Sequence, residues 1–161
     1  KRPVPLHFFY QCQNQVVSDI NKLKNMRGRF KPNTTNALIK YVRDKDGLPC
    51  IYFVFGRKRA EYLAEELYNF TFLTKSEQTK ILAMYDDLCE RFDLKNEKSA
   101  VSMIPLIERG IAFHHAGMLP TLKEVIERLF TSRLIKVIFT TETFALGINM
   151  PSRSVIFDAD D

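Results

Sequence analysis

A three-layer α/β fold, a parallel sheet flanked by helices, is the architecture this chain predicts, and three observations predict it. Short apolar runs recur at Cys50 to Phe55, Gly110 to Phe113 and Leu134 to Phe139. Segments with a helical apolar period stand between them. The run CIYFVF is apolar without alternation, as in a central strand covered on both faces. Strands separated by helical patterns require βαβ units.

Taken in order, Leu6 to Gln11 reads as a first strand. Thr34 and Thr35 can cap a helix reaching about Lys45, with Ala37, Leu38, Tyr41 and Val42 on one face and Asp46-Gly47 closing it. After the Cys50–Phe55 strand, Ala60, Leu63, Ala64, Leu67 and Tyr68 recur at helical spacing. Thr74 and Glu77 form a capping box for a helix whose stripe is Ile81, Leu82, Tyr85, Leu88, Cys89 and Phe92. Asp93 to Ser99 reads as a loop, and Ala100 to Arg109 as a short helix leading into the Gly110–Phe113 strand. Thr121 and Glu124 suggest another capping box, ahead of the stripe Leu122, Val125, Ile126, Leu129 and Phe130. Strands at Leu134–Phe139 and Ser154–Phe157 complete the set. The aromatic residues on these stripes are read as core, because their spacing matches the helix period.

With 161 residues, one domain with a sizeable core is favoured. No apolar run approaches the roughly 18 residues of a membrane span. Lys1 is not an initiator Met and no signal-peptide pattern opens the chain, so a piece of a longer protein is expected, although processing could give the same start; the expected location is intracellular, cytoplasmic or nuclear. Cys12, Cys50 and Cys89 are far apart and fit no zinc spacing, which points to free thiols in a reducing compartment. The net charge of +5 is uneven: residues 1–50 hold 10 Lys/Arg against 3 Asp/Glu, the remainder 14 against 16. That basic portion suits a polyanion. It equally suits a solvated loop, since Lys22, Lys24, Arg27, Arg29 and Lys31 surround Gly28 and Pro32 without interleaved aromatics.

The densest chemistry lies in Phe139–Pro151, FTTETFALGINMP. A strand opening into a turn with hydroxyls at Thr140, Thr141 and Thr143 puts donors at the carboxyl edge of a sheet, where open α/β folds bind ligands. Such donors suit phosphate, but Thr140 or Thr141 could instead cap a helix from Glu142. Gly147 permits close backbone approach and Asn149 offers an amide; both could also mark a plain turn before Pro151. His114 and His115 are neighbours on a strand end, so their side chains point apart, which disfavours a shared metal. His115 and the Gly117 amide could face a phosphate, or the histidine could be structural. Gly56 and Arg57 open a helix and make a candidate anion site, unless Arg57 to Arg59 pair with Glu61, Glu65 or Glu66.

The Phe139–Pro151 segment resembles motif V of superfamily 2 helicases, most closely the superkiller-type DExH-box branch. Ile51–Lys58 (IYFVFGRK) is similar to that family's motif IV, and Arg109–Pro120 (RGIAFHHAGMLP) to its His-His-x-Gly block. Arg2–Leu6 (RPVPL) resembles the entry from the first domain into the second. Three ordered motifs make the likeness specific. It implies a RecA-like parallel sheet in three α/β/α layers. Residues 1–33 would be a basic entry segment from the preceding domain. Residues 34–161 would be the C-terminal RecA-like domain, stopping before motif VI. It implies nucleic-acid contacts at Gly56, Arg57, His115, Gly117, Thr141 and Thr143, and an ATP-facing wall at Gly147 and Asn149. ATP and Mg²⁺ would be held mainly by a first RecA-like domain of the same chain. Single-stranded nucleic acid, RNA rather than DNA, would be the partner, with no membrane.

The sequence contains no Gly-x-x-x-x-Gly-Lys-[Ser/Thr] phosphate loop, no Asp-Glu-x-His box and no Gln-x-x-Gly-Arg-x-Gly-Arg motif. Phosphoryl transfer needs a phosphate cradle, a metal carboxylate and arginine charge, so these residues alone are expected to be inactive. Two other classes stay open: a non-catalytic nucleic-acid-binding module from a degenerate helicase, and a doubly wound domain for a small phosphorylated ligand. The latter needs a Gly-rich turn after the first strand, which Gln11–Asn14 does not offer.

Overall fold

Strand pairing sets the frame of the computed structural model, which describes residues 34–142 and 152–158 together with two strands, 7–12 and 15–17. The strands are β1 (His7–Cys12), β2 (Gln15–Val17), β3 (Cys50–Phe53), β4 (Ile111–His114), β5 (Val137–Thr140) and β6 (Ser154–Phe157). They form one sheet in the order β2-β1-β6-β3-β5-β4. β1, β6, β3, β5 and β4 are parallel to their neighbours, and β2 is antiparallel to β1. The CIYFVF run is central, as its unbroken apolar character requires.

Alternation along each strand sorts the core into two halves. Cys50, Tyr52, Val54, Val137, Phe139 and Ile156 pack with Leu38, Ile39 and Val42 of helix α1 (Thr35–Asp44), with Ala60, Leu63 and Ala64 of α2 (Arg57–Glu66), and with its C-cap Leu67. Ile51, Ala112 and Ile138 face the other way. They meet α3 (Lys75–Arg91), α4 (Lys98–Ser102), α5 (Ile104–Ile107) and α6 (Pro120–Thr131), with Ile81, Tyr85, Leu88, Leu122, Val125 and Ile126 at the contact. This is the three-layer α/β/α arrangement expected of a RecA-like sheet.

Local chemistry explains where the elements agree with expectation and where they shift. Thr34 caps α1, its Oγ1 accepting from the Ala37 amide at 3.1 Å. The buried stripe is Thr35, Leu38, Ile39 and Val42, while Ala37 and Tyr41 face outward. The stripe is rotated because Ile39 offers more apolar area to the sheet than Ala37. Asp46 turns the chain with φ 58°, and the Gly47 amide donates to Val42 O at 2.8 Å. A Cβ on Gly47 would lie 2.6 Å from Ser154 Oγ and 2.9 Å from Val42 O, so only glycine lets α1 close down on β6.

β3 ends at Phe53, earlier than predicted, and Phe55 lies in solvent. Tyr68 leaves the α2 stripe and is exposed; Arg109 covers it, with its guanidinium carbon 3.9 Å from the ring centroid. The Thr74–Glu77 capping box forms in both directions, at 3.1 and 2.9 Å. The Ala100–Arg109 helix is in fact two, with α4 starting at Lys98, inside the predicted loop. Pro105, lacking an amide hydrogen, is accommodated in the first turn of α5, so a new helix starts there. The second capping box does not exist. α6 starts two residues earlier than the pattern implied, with Pro120 in its first turn and Leu119 as an N-cap without a side-chain bond, and Glu124 pairs with Arg128 at 2.6 Å instead. Cys50 and Cys89 are buried free thiols, and burial pushes both up in pKa.

The two candidate boxes therefore separate in stability. Thr74→Ala is expected to cost about 1 kcal/mol of unfolding free energy. Thr121→Ala, exposed and capping nothing, is expected to stay within about 0.5 kcal/mol of the parent. Urea unfolding of the two variants side by side checks this, and equal losses would contradict it.

Candidate functional site

Parallel pairing without stagger brings three turns to one edge. Phe53 lies level with Thr140, and Thr140 with His114, so β3, β5 and β4 all finish on the same line. Parallel strands send their following turns out at this carboxyl end, where ligands bind in open α/β sheets.

The turn after β3 carries Gly56 as the N-cap of α2, at φ 109° and ψ 134°. That region is open to glycine alone without strain. Nothing lies within 4 Å of where its Cβ would be, so the turn faces open space. Arg57, the first residue of α2, is exposed and lies across the turn after β4. A Cβ on Gly117 would sit 3.0 Å from both Arg57 Cδ and Nη1. The missing side chain at 117 is thus what admits the arginine.

His115 anchors the same turn. The Gly117 amide donates to His115 Nδ1 at 3.1 Å, which makes that nitrogen an acceptor and places the ring hydrogen on Nε2. Nε2 in turn donates to Glu61 Oε2 on α2 at 2.7 Å. His115 is buried, and its imidazole stacks on Phe113, with centroids 5.6 Å apart. Four residues singled out in the sequence, Gly56, Arg57, His115 and Gly117, therefore form one cluster joining two turns. The side chain of His115 serves the scaffold, and the groups the cluster offers outward are Arg57 and the turn around Gly117.

In the turn after β5 the two threonines divide their roles. Thr140 Oγ1 accepts from the Glu142 amide at 3.2 Å and donates to Glu142 O at 2.7 Å, so the hydroxyl that closes this turn is that of Thr140; the helix expected from Glu142 lies outside the described residues. Thr141 is half-buried, and its amide donates to His114 O at 3.2 Å, tying this turn to the end of β4. Thr143, Gly147 and Asn149 lie outside the described residues.

Sequence reasoning missed the charges that hold this edge from beneath. His114 points away from His115, as strand alternation demands, and its Nε2 meets Glu127 Oε2 of α6 at 2.7 Å. Its Nδ1 is 3.5 Å from Glu142 Oε1, which Lys123 Nζ binds at 2.9 Å. Desolvation holds the His114 pKa below the usual histidine value, against the pull of Glu127. The Lys123 hydrogen bond holds Glu142 below the usual carboxylate range. At the end of β6, buried Asp158 takes a two-pronged contact from Arg59, through Nε and through Nη2. The predicted pairing of Arg57 to Arg59 with Glu61, Glu65 or Glu66 is replaced by Arg59–Asp158 and His115–Glu61. These partners are far apart in sequence, so no local pattern announces them. Among the described residues, no three His, Cys, Asp or Glu side chains converge as metal ligands, and no helix is long and apolar enough to cross a membrane.

Comparison with known proteins finds no matching family model. Individual relatives are clear. The chain is 42% identical over 130 residues to the antiviral helicase SKI2 of Saccharomyces cerevisiae, covering 78% of this chain and 10% of that protein. It is 37% identical over 143 residues to mRNA transport homolog 4 of Caenorhabditis elegans, covering 88% of this chain and 14% of that protein. It is 36% identical over 151 residues to the exosome RNA helicase MTR4 of Homo sapiens, covering 89% and 14%. The chain thus spans about one-seventh or less of the length of these relatives.

The buried histidine predicts a pH dependence. With its folded pKa lowered, His114 is neutral in the fold and takes a proton more readily when unfolded. Unfolding then binds protons, so stability is full above the unfolded value of about 6.5 and is lost as pH falls through it. The thermal midpoint is expected to drop between about pH 7.5 and pH 5.5, and to drop less in His114→Gln. Equal slopes in the two proteins would contradict the assignment.

Proposed function

Because the chain belongs to the superkiller-type DExH-box branch of superfamily 2 helicases, we propose that it supplies the second RecA-like domain of an ATP-dependent RNA helicase. Residues 34–161 are its body, and residues 1–33 the basic entry segment from the preceding domain. The observation that carries the reading is the meeting of three turns at one sheet edge, with Arg57 and Gly117 exposed and Thr141 half-buried beside them. Backbone and cationic donors of this kind grip phosphates and leave base identity unread. Binding is accordingly insensitive to sequence and weakens with salt.

In the whole protein this edge takes single-stranded RNA, with Gly56, Arg57, Gly117, Thr141 and Thr143 along the backbone and His115 fixing the turn that presents Gly117. Gly147 and Asn149 form part of the wall facing ATP. The first RecA-like domain of the same chain supplies the phosphate loop and the carboxylates for Mg²⁺. ATP turnover then opens and closes the two domains and shifts the grip on the strand. Relatives named as RNA helicases support RNA over DNA.

The 161 residues alone are expected to release phosphate from Mg-ATP only at background, with or without RNA. The carboxylates near this edge are already engaged: Glu142 by Lys123, Asp158 by Arg59 and Glu61 by His115. Turnover by the purified chain, shown free of contaminating ATPase, would contradict this.

In the intact helicase, Thr141→Val separates ligand contact from stability. Valine keeps the shape and removes the donor. A hydrogen bond to a charged acceptor is worth roughly 1.5–3 kcal/mol, so RNA affinity is expected to fall about ten- to a hundredfold. The thermal midpoint is expected to hold, because the hydroxyl that closes the turn at Glu142 is that of Thr140. Unchanged affinity and RNA-stimulated ATPase alongside a lowered midpoint would defeat the phosphate-contact role.

A further inference from the structure

Phe55 is the most exposed large apolar side chain among the described residues, at 81%. Its exposure follows from its place in the chain. β3 ends at Phe53, and Val54 takes the last buried position, its amide bonded to Thr140 O at 2.9 Å. The next residue is carried past the rim of the core. A helix or strand here could have ended on a polar residue at no cost in packing, yet a phenyl ring stands in water directly beside the candidate edge.

What surrounds it is chemically specific. Gly56 follows, with open space where a side chain would be. Arg57 and Lys58 come next, both exposed. The acidic residue one turn further along α2, Glu61, is already engaged by His115. An aromatic face, a clear turn and two cations thus stand within four consecutive residues. Protein–protein interfaces are poor in lysine at their centres. Single-stranded nucleic acid, by contrast, offers flat bases and phosphates in alternation, which is what a ring beside paired cations can take.

We propose that Phe55 is a base-stacking platform for single-stranded nucleic acid, with Arg57 and Lys58 taking the phosphates on either side of the stacked nucleotide. This rests on the reading of the edge as a nucleic-acid surface and adds to it a contact to a base. A phenyl ring has no hydrogen-bonding group, so the platform accepts any base and favours those with the larger π-face. It adds only a modest preference among sequences while resisting slippage of the strand along the backbone grip.

The chain contains no tryptophan, so Phe55→Trp installs a single fluorescent reporter at the site. Two probes are titrated at low salt: oligoadenylate of about ten nucleotides, within the site sizes of single-strand binders, and an abasic phosphodiester of equal length. Oligoadenylate is expected to quench the tryptophan, and the abasic strand to bind without quenching. Phe55→Ala is expected to weaken oligoadenylate binding about five- to a hundredfold and to leave abasic binding and the thermal midpoint unchanged. Tryptophan emission already blue-shifted without nucleic acid would show the ring covered by the chain itself and overturn the proposal. If Phe55→Ala binds oligoadenylate as the parent does while Arg57→Ala weakens salt-sensitive binding, the platform falls and the edge stands. If the parent chain binds neither probe, both fall.

Discussion

The common register of the parallel strands is the constraint on which the rest depends. Cys50 of β3 is level with Val137 of β5 and with Ser154 of β6, and this alignment continues to Phe53, Thr140 and Phe157. Backbone bonds from Cys50 to Lys136 O and from Arg153 to Pro49 O lock the entry of the three strands at 2.7 and 2.8 Å. A slip of one residue would exchange the two faces of a strand, setting Tyr52 and Val54 against the layer built for Ile51 and Phe53. Because both faces are buried, that error is costly, and the strands end together. Ligand chemistry at the edge is a by-product of this alignment, since no turn could meet its neighbours if one strand ran long.

Beneath the edge, the fold spends its buried charge on position. His114 and His115 leave β4 on opposite faces and bind carboxylates from opposite helical layers, Glu127 of α6 and Glu61 of α2. Asp158 binds Arg59 from the end of β6. Taking such groups out of water is unfavourable, and pairing only recovers the loss. Their value is geometric: each fixes a strand end to a helix by a directional bond that apolar packing lacks. The lowered pKa of His114 is the trace of that arrangement, with desolvation outweighing the attraction of the carboxylate.

Layer order, five of the six strands and most helix faces were legible because they rest on periodicity, which is local; β2, only three residues long (Gln15–Val17), shows no such period and was missed. The stripe Leu122, Val125, Ile126, Leu129 and Phe130 is buried as read, and Ser154–Phe157 is a strand to the residue. Signals that failed are those in which two local rules compete. Thr121 and Glu124 have capping spacing, but Pro120 fits the first helical turn and starts α6 earlier. Ala100 to Arg109 has a helical period, but Pro105 divides it. At the edge, Gly56, Arg57, His115, Gly117 and Thr141 were found as motif positions, and the structure unites the first four. Which group faces inward was not legible. The Glu61 and Asp158 contacts span 54 and 99 residues, and the tautomer of His115 is set by an amide two residues on.

Helix α2 ties these observations into one mechanical unit. Its N-cap is Gly56, its first residue Arg57 leans on Gly117, its third, Arg59, holds Asp158, and its fifth, Glu61, holds His115. Within five residues of α2 the turns after β3 and β4 and the end of β6 are joined to one rigid rod. The turn after β5 is joined to the same frame through Thr141 and His114 O. A load applied at Arg57 is therefore passed to three strand ends at once, and no single turn can yield alone. Parts of a packed core joined in this way respond to a ligand as one body, by moving or by staying. The role proposed above, gripping a polymer while a partner domain opens and closes, needs this property, because a turn that gave way by itself would release the strand.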